Sequence, residues 1–372
     1  MRMAMDRGMV TQPGGVMPLE RNGRLTDQTV AMERPEDIDL VFAALRRVPT
    51  RGFFTRDRAQ REIAEEVGYQ LLVHPDWIIP HVDALTREGV AAAMTFDWLC
   101  LLMEHASAEL VAAVVDRARA DEEDIEAGLL LLAARTPDAM MVIGDLARSR
   151  ERVRDDCRHL GFDVPAKGPA EPRFTTKRRA LRLHDGTAIA GALHAAGLPL
   201  SEVAAHGEHR ITFHYLSVTP SEFPALPRWS GRAHFVSIRA WTGWTAFARP
   251  DPAGRLSVTQ IDLDEDESLD ELVGMLDEAP GHPQPSGAVE LLPFDDQLTF
   301  VNQHPQLTPG VFGVLGGPPM GLAPAPVCPS CARVMFHAGY IEARPREYGD
   351  GFRSLFLCEH CVASATLATL WN

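Results

Sequence analysis

No stretch of the chain reaches the run of about 20 apolar residues that spans a bilayer, so nothing in it reads as a membrane helix. Basic residues are in deficit. The 36 Lys and Arg against 51 Asp and Glu leave a formal net charge of −15. That balance argues against a protein whose main business is nucleic acid or an anionic membrane, since both call for a basic face. The common catalytic fingerprints are missing as well. There is no Gly-x-Ser-x-Gly elbow, no phosphate loop ending in Gly-Lys-Ser/Thr, no His-Glu-x-x-His and no dinucleotide turn. Gly313-Val314-Leu315-Gly316-Gly317 comes nearest, but Pro318 and Pro319 follow it and cannot open the helix that such a turn feeds. Cysteine is scarce, with six residues, and four of them cluster in two Cys-x-x-Cys pairs near one end. A secreted disulfide scaffold would spread its cysteines, so the pattern indicates metal binding in a reducing compartment. Met1 to Leu19 lacks the apolar centre and cleavage site of a secretory signal. Residues 1–34 read as a disordered tail, and the protein as cytoplasmic.

What is present begins with helix. About 45% of the chain is apolar, enough for a sizeable core. From Pro35 to Leu160 apolar residues recur at helical spacing, as at Ile38, Val41, Phe42 and Leu45. Helices are predicted over Asp37–Arg47, Asp57–Leu72, Ala91–Ala106, Ser107–Ala120, Glu123–Arg135 and Asp138–Ser149, with a kink or restart at Pro80. Residues 35–164 therefore read as a helical bundle or a short helical stack. Gly161–Pro172, rich in Pro and Gly, reads as the domain boundary. Arg173–Arg182 carries five basic residues and no acid and reads as a solvated helix face; contact with nucleic acid, or with the acidic segment of its own chain, is the sharper alternative. Ala188–Ala205 reads as one or two short helices.

The period then changes from helical to alternating. Arg210–Val218, His234–Arg239, Gly243–Phe247, Arg255–Ile261 and Ala288–Leu292 read as strands. Asp262–Glu278, with nine acids and no base, reads as an acidic helix, and Pro305–Val327 as irregular. The expected fold class is α+β: an all-α N-terminal part, then a β-rich domain over residues 173–372.

Cys328-Pro329-Ser330-Cys331 and Cys358-Glu359-His360-Cys361 carry the strongest chemical signal. Each pair offers two thiolates from one tight turn, and two such knuckles face to face supply the tetrahedron that zinc needs. The 26 residues between the pairs leave room for a hairpin, with strands expected at Val334–Ala338 and Ser354–Leu357. Four thiolates leave no open position for water or substrate, so the expected role is structural zinc, in segment 326–372. His360 is the one residue placed to replace a cysteine ligand, with a solvent-facing role favoured.

Val314-Leu315-Gly316-Gly317-Pro318, Pro326-Val327-Cys328-Pro329-Ser330-Cys331, Met335-Phe336, Tyr348-Gly349-Asp350-Gly351, Leu355-Phe356-Leu357-Cys358-Glu359-His360-Cys361 and Trp371 follow one another in order. This succession resembles the C-terminal signature of the YwqG-like family, a domain of unknown function. There a Gly-Gly-x-Pro turn precedes a Cys-Pro-x-Cys knuckle, and a Met-Phe strand, a Gly-Asp-Gly turn, a second knuckle and a near-terminal Trp follow. The resemblance covers about residues 311–372. It implies a β-rich fold and a setting among bacterial toxins and immunity proteins, and it implies no reaction.

Other constellations are weaker. His206, His209 and His214 are close enough in sequence to suggest a metal, but no carboxylate or fixed element supports them, and histidines at sheet entrances are common. Asp262-x-Asp264-x-Asp266 begins like a calcium loop, yet Glu267 stands where that loop needs Gly. Trp229, Trp241, Trp244, Phe235 and Phe247 read as core before they read as a ligand cage. Together these features favour a non-catalytic bacterial binding or adaptor protein with a structural zinc, of an immunity or conflict system, acting by protein–protein contact. The alternative is an enzyme whose groove holds His209, His214, Arg232 and Arg239. A nucleic-acid binder is the third and weakest reading.

Overall fold

The computed structural model describes residues 8–12, 15–19, 32–47, 58–121, 123–176, 178–185, 195–196, 205–206, 213–219, 232–237, 245–250, 256–262, 286–292, 311–319, 324–342 and 351–370. Its helices come first: α1 (Ile38–Leu45), α2 (Arg58–Val73), α3 (Pro75–Ile78), α4 (Val82–Arg87), α5 (Phe96–Met103), α6 (Ala108–Ala120), α7 (Ile125–Ala134), α8 (Pro137–Ser149) and α9 (Glu151–His159). Their boundaries have local causes. The side chains of Ser107, Asp124 and Thr136 each accept an amide hydrogen bond at the N-cap of α6, α7 and α8. Pro137 sits at the first position of α8, where its missing N–H costs nothing. Pro80 falls in a 3-10 turn between α3 and α4, so the expected restart is present.

Three details differ from the sequence expectation. Ala91–Ala106 is not one helix. A 3-10 turn over Val90–Ala93 precedes α5, because Met94 and Thr95 are extended. Helix α9 escaped the pattern because Val153 and Cys157 are its only strongly apolar residues. The N-terminal tail is more structured than expected. Gly8–Gln12 (β1), which holds Val10 and Thr11, pairs antiparallel with Gly15–Leu19 (β2), which holds Val16, on either side of a Pro-Gly dipeptide. Met32 is also buried, its amide donating to Glu66 Oε1 at 2.8 Å and its carbonyl accepting from Gln70 Nε2 at 2.9 Å.

The helices pack around one core whose centre includes Val41, Val67, Leu85, Leu102, Leu131 and Ile143. Helix α2 approaches α5 so closely that a Cβ at Gly68 would stand 2.5 Å from the Trp98 ring. The core continues past α9 into Phe162, Ala170 and Phe174. The Pro/Gly-rich boundary is therefore packed chain, with β3 (Phe162–Asp163) pairing with β4 (Glu171–Pro172).

The second half is a mostly antiparallel sheet. Its strands are β5 (Arg179–Asp185), β6 (Ala195–Ala196), β7 (Ala205–His206), β8 (Phe213–Val218), β9 (Ala233–Ser237), β10 (Thr245–Pro250), β11 (Leu256–Asp262), β12 (Gly287–Leu291), β13 (Val311–Leu315), β14 (Phe336–Glu342), β15 (Gly351–Cys358) and β16 (Ala363–Leu370). They join in the order β7-β11-β10-β16-β15-β14-β13-β5-β12-β6-β8-β9. Only the short β11–β7 pair is parallel among the described pairings. The β9 end folds back over β16 and β10, where Ser364 Oγ donates to the His234 carbonyl at 2.6 Å. Consecutive residues of β15 and β16 are consequently buried on both faces.

The expected strands near 213, 233, 245, 256 and 287 are all present, each shifted by a few residues. Arg179–Asp185 is a strand and not a helix face: Leu181 and Leu183 alternate with Arg182 and His184, the period of a half-buried sheet. Ala195–Ala196 and Ala205–His206 are two-residue strands, the first inside and the second at the end of the stretch expected to be helical. Val311–Leu315, expected to be irregular, is a fully buried strand near the middle of the sheet. There Gly313 brings the backbone against Ile341 and Tyr340 too closely for any Cβ. The acidic helix expected over 262–278 lies outside the described residues apart from Asp262, which ends β11.

The two halves are joined by buried polar contacts. Arg178 Nη2 lies 2.5 Å from Asp97 Oδ2 of α5, with the two side chains 1% and 13% exposed. The Gly317 amide donates to the Thr175 carbonyl, and the His337 amide donates to the Arg173 carbonyl, both at 2.6 Å. Arg158 of α9 gives its Nε–H to the Ala325 carbonyl and accepts the Ala325 amide at its own carbonyl, each at 3.0 Å. The basic run thus faces acids of its own chain. Among the described residues those acids are Asp97, Asp163, Glu171, Glu290 and Glu359.

Candidate metal centre

Strands β14, β15 and β16 form an antiparallel meander. The first cysteine pair lies on the approach to β14, inside the bridge between Val327 and Val334. The second pair forms the turn between β15 and β16, where Cys358 is opposite Ala363. Because β15 runs back along β14, both knuckles arrive at the same end of the meander. The two turns share a backbone shape. Ala332 follows Cys331 at φ 55°, and Val362 follows Cys361 at φ 51°. A left-handed conformation is unfavourable for any residue with a Cβ and most of all for a β-branched one. Two such residues directly behind two Cys-x-x-Cys pairs mark turns held by something other than local preference.

The four sulfurs of Cys328, Cys331, Cys358 and Cys361 lie within 4.8 Å of one another, close enough to bind a metal ion. Cys331 Sγ and Cys358 Sγ are 3.6 Å apart. That is far beyond a disulfide bond of about 2.05 Å. It matches the separation of about 3.8 Å between sulfurs that each sit about 2.3 Å from a tetrahedral centre. Cys328 and Cys358 are buried, Cys331 and Cys361 half-buried, and Met335, Phe356, Phe247 and Ala365 wall the site in.

Electrostatics favour a cation here. Burial opposes ionisation of Cys328, but the amides of Ser330 and Cys331, with the thiols of Cys358 and Cys331, outweigh it and lower its pKa. Burial raises the pKa of Cys358 and Cys361, and the neighbouring Cys328 adds to the effect at both. Without a cation the thiols compete for a single negative charge; a divalent ion lets all four ionise. Arginines stand close by. Arg173 pairs with Glu359 at 3.4 Å and Asp163 at 2.9 Å, while Arg333 pairs with Asp163 at 3.5 Å and contacts the His360 ring. His360 is engaged by Arg333 and Glu359, outside the four-sulfur group.

The other residues singled out by sequence do not converge on a described site. His209, Arg239, Trp229, Trp241 and Trp244 lie outside the described residues. His214 is in β8 opposite Val236, His206 is in β7 opposite Ser257, and Arg232 is half-buried just before β9. Phe235 and Phe247 are core residues. Cys100 and Cys157 are buried thiols whose pKa burial pushes up to about 12, so both stay protonated.

Sequence reasoning missed the polar junction beside the centre. His337 is fully buried against Phe356, and its Nδ1–H donates to the Gly317 carbonyl at 2.8 Å. Burial first, and Arg178 in addition, pull its pKa down to about 4, so the ring is neutral. Arg178 itself is held above its ordinary pKa although burial works against it, because Asp97 and Tyr340 lie beside it. The one signal available in sequence was an alternating pattern hidden inside a basic run.

No family model matches this chain, and no curated protein or solved structure is found to be similar to it.

Proposed function

We propose that this chain is a non-catalytic bacterial protein of the cytoplasm that acts by protein–protein contact, with one structural zinc on Cys328, Cys331, Cys358 and Cys361. The observation that carries the proposal is the four-sulfur group itself. Four thiolates fill a tetrahedral shell, so a zinc held by them has no position for water or substrate. Their place at one end of the β14–β16 meander suits a closing role, since the ion fixes two turns with unfavourable backbone at Ala332 and Val362. The resemblance of residues 311–372 to the YwqG-like family agrees with this role and supports a setting among immunity or conflict proteins. Arg173, Arg178 and Arg182 already face acids of the same chain, which supports a protein over a nucleic acid as partner. Elemental analysis of the purified protein, run beside Cys331→Ser, tests the metal. One zinc per chain, lost in the variant together with thermal stability, is expected. Bound iron, or zinc lost with no change in melting temperature, would overturn the structural assignment.

A further inference from the structure

Among the described residues, the helical half carries an open groove that its packing does not fill. It has a volume of about 300 Å³ and lies between α7 and α9, over α8. Its floor is apolar: Leu129, Leu132 and Ile143 are buried beneath it, while Leu146 and Val153 are half-exposed and Ile125 is 41% exposed at the edge. Gly128 opens the floor further. It is a helical glycine with nothing within 4 Å of the place a Cβ would occupy. A glycine inside a helix costs about 1 kcal/mol relative to alanine, and here no close approach of another chain segment explains it.

The rim is acidic. Five carboxylates line the groove against two guanidinium groups, those of Arg150 and Arg152. Asp124 has an internal role, since it caps α7 and binds Arg117 at 2.6 Å. Asp121, Glu123 and Glu151 are exposed around the opening. Asp156 differs from these. It sits in the middle of α9, away from a helix start, and burial raises its pKa in spite of Arg152 nearby. A carboxylate in that setting gains most from a cation brought in from outside.

We infer that this groove docks a basic amphipathic helix of a partner protein, whose apolar side chains enter over Gly128 and whose Lys or Arg residues meet the acidic rim at Asp156, Glu123 and Glu151. Apolar anchors spaced i, i+3, i+4 and i+7 are the pattern by which a helix fills such a groove. Charge complementarity then selects a cationic helix over an anionic one and speeds its approach to a chain of net charge −15. The inference rests on the protein-contact function proposed above and names the surface and the partner's chemistry.

Fluorescence anisotropy on the full-length protein tests it, with two labelled peptides of about 16 residues that share one Leu stripe. One peptide carries Lys on its polar face and the other Glu. The Lys peptide is expected to bind with a Kd of about 10–100 μM at physiological salt, and the Glu peptide at least tenfold more weakly. Gly128→Leu, which fills the groove, is expected to weaken the Lys peptide at least tenfold while the melting temperature holds or rises. The pair Glu123→Lys with Glu151→Lys, both at exposed positions, supplies a second reading should Gly128→Leu unfold, and is expected to weaken binding by a similar factor. Equal binding of both peptides would overturn the inference, because charge would then select nothing, and so would unchanged binding of the Lys peptide by either folded variant, because attraction by net charge alone would explain it. Absence of binding near 1 mM would overturn it as well. A native partner that binds wild type and Gly128→Leu alike would leave the contact function standing and remove only the groove.

Discussion

Removing the Asp97 carboxylate should destabilise the protein more than any surface change, because it strands a charge. The Arg178 side chain is 1% exposed and its guanidinium lies 2.5 Å from Asp97 Oδ2. Burial alone would drive the Arg178 pKa down, and the adjacent carboxylate reverses that. At an effective dielectric near 20, two unit charges about 4 Å apart attract by about 4 kcal/mol. Asp97→Ala leaves Arg178 charged and dry, a loss that runs to about 3–5 kcal/mol when one partner of a buried pair is removed. Asp97→Leu with Arg178→Met should recover most of that loss, since well-packed apolar replacement of a buried pair is close to neutral. Urea unfolding followed by helical circular dichroism and by tryptophan fluorescence measures all the variants in a double-mutant cycle. Because Asp97 lies on α5 and Arg178 just before β5, amide hydrogen exchange in urea should also show the single variants letting the helices and the strands open separately, with the halves no longer unfolding together. A loss under about 1 kcal/mol, or a double variant no better than the singles, would refute the idea that this pair holds the joint.

Four further outcomes are expected. Stability should fall as pH drops from about 6.5 to about 4. His337 is neutral in the folded chain until about pH 4 whereas the unfolded ring takes its proton near 6.5, so the unfolded state binds the extra proton across that window. The contribution of His337 is about 3 kcal/mol, and His337→Phe should flatten the pH dependence of urea unfolding by that amount. Gly339→Ala should cost more than about 2 kcal/mol in the same assay, since the residue has φ 141° and a Cβ would stand 2.0 Å from the Val314 carbonyl oxygen. Chelation of the metal should speed amide hydrogen exchange first in 324–342 and 351–370, the segments that carry the knuckles, with α2 and α5 changing last. Filter binding at physiological salt should show no tight capture of DNA or RNA, and a steep salt-dependent affinity would contradict the internal pairing of Arg173 and Arg178.

The helical half was legible in outline because its signals are local. The Ser107, Thr136 and Pro137 boundaries sit where capping chemistry puts them. The cysteine centre was equally legible, since four thiols at paired spacing have few other uses. What stayed hidden depends on partners far away in sequence. Arg173–Arg182 looks like a solvated face until the chain brings Asp97 to Arg178 and Glu359 to Arg173. Val311–Leu315 looks irregular because glycine and proline surround it, and only the neighbours β5 and β14 make it a strand. Helix α9 is amphipathic with a thin apolar stripe, and its position is set by Cys157 and Leu160 entering the core.

The centre and the joint are not separate devices. Ala325, in the segment leading to Cys328, is bonded in both directions to Arg158 of α9. Arg173, between β4 and β5, reaches Asp163 on one side and Glu359 of the second knuckle on the other. His337, six residues beyond Cys331, gives its amide to Arg173 and its ring proton to Gly317, whose close approach to Arg178 leaves no space for a Cβ. An ion that fixes both knuckles therefore also fixes the anchor points of α9 and of the Asp97–Arg178 pair. That arrangement gives a physical reason for a metal to bind where the described strands already form a twelve-stranded sheet with a core of its own. A sheet of that size has its own apolar core, but its β14–β16 end must present a rigid edge to the helical part through a few buried polar contacts. Such contacts stabilise only when their geometry is held, because half-satisfied buried groups cost more than apolar ones. The knuckles hold that geometry from the sheet side, and the packed turn from Phe162 to Phe174 holds it from the helical side.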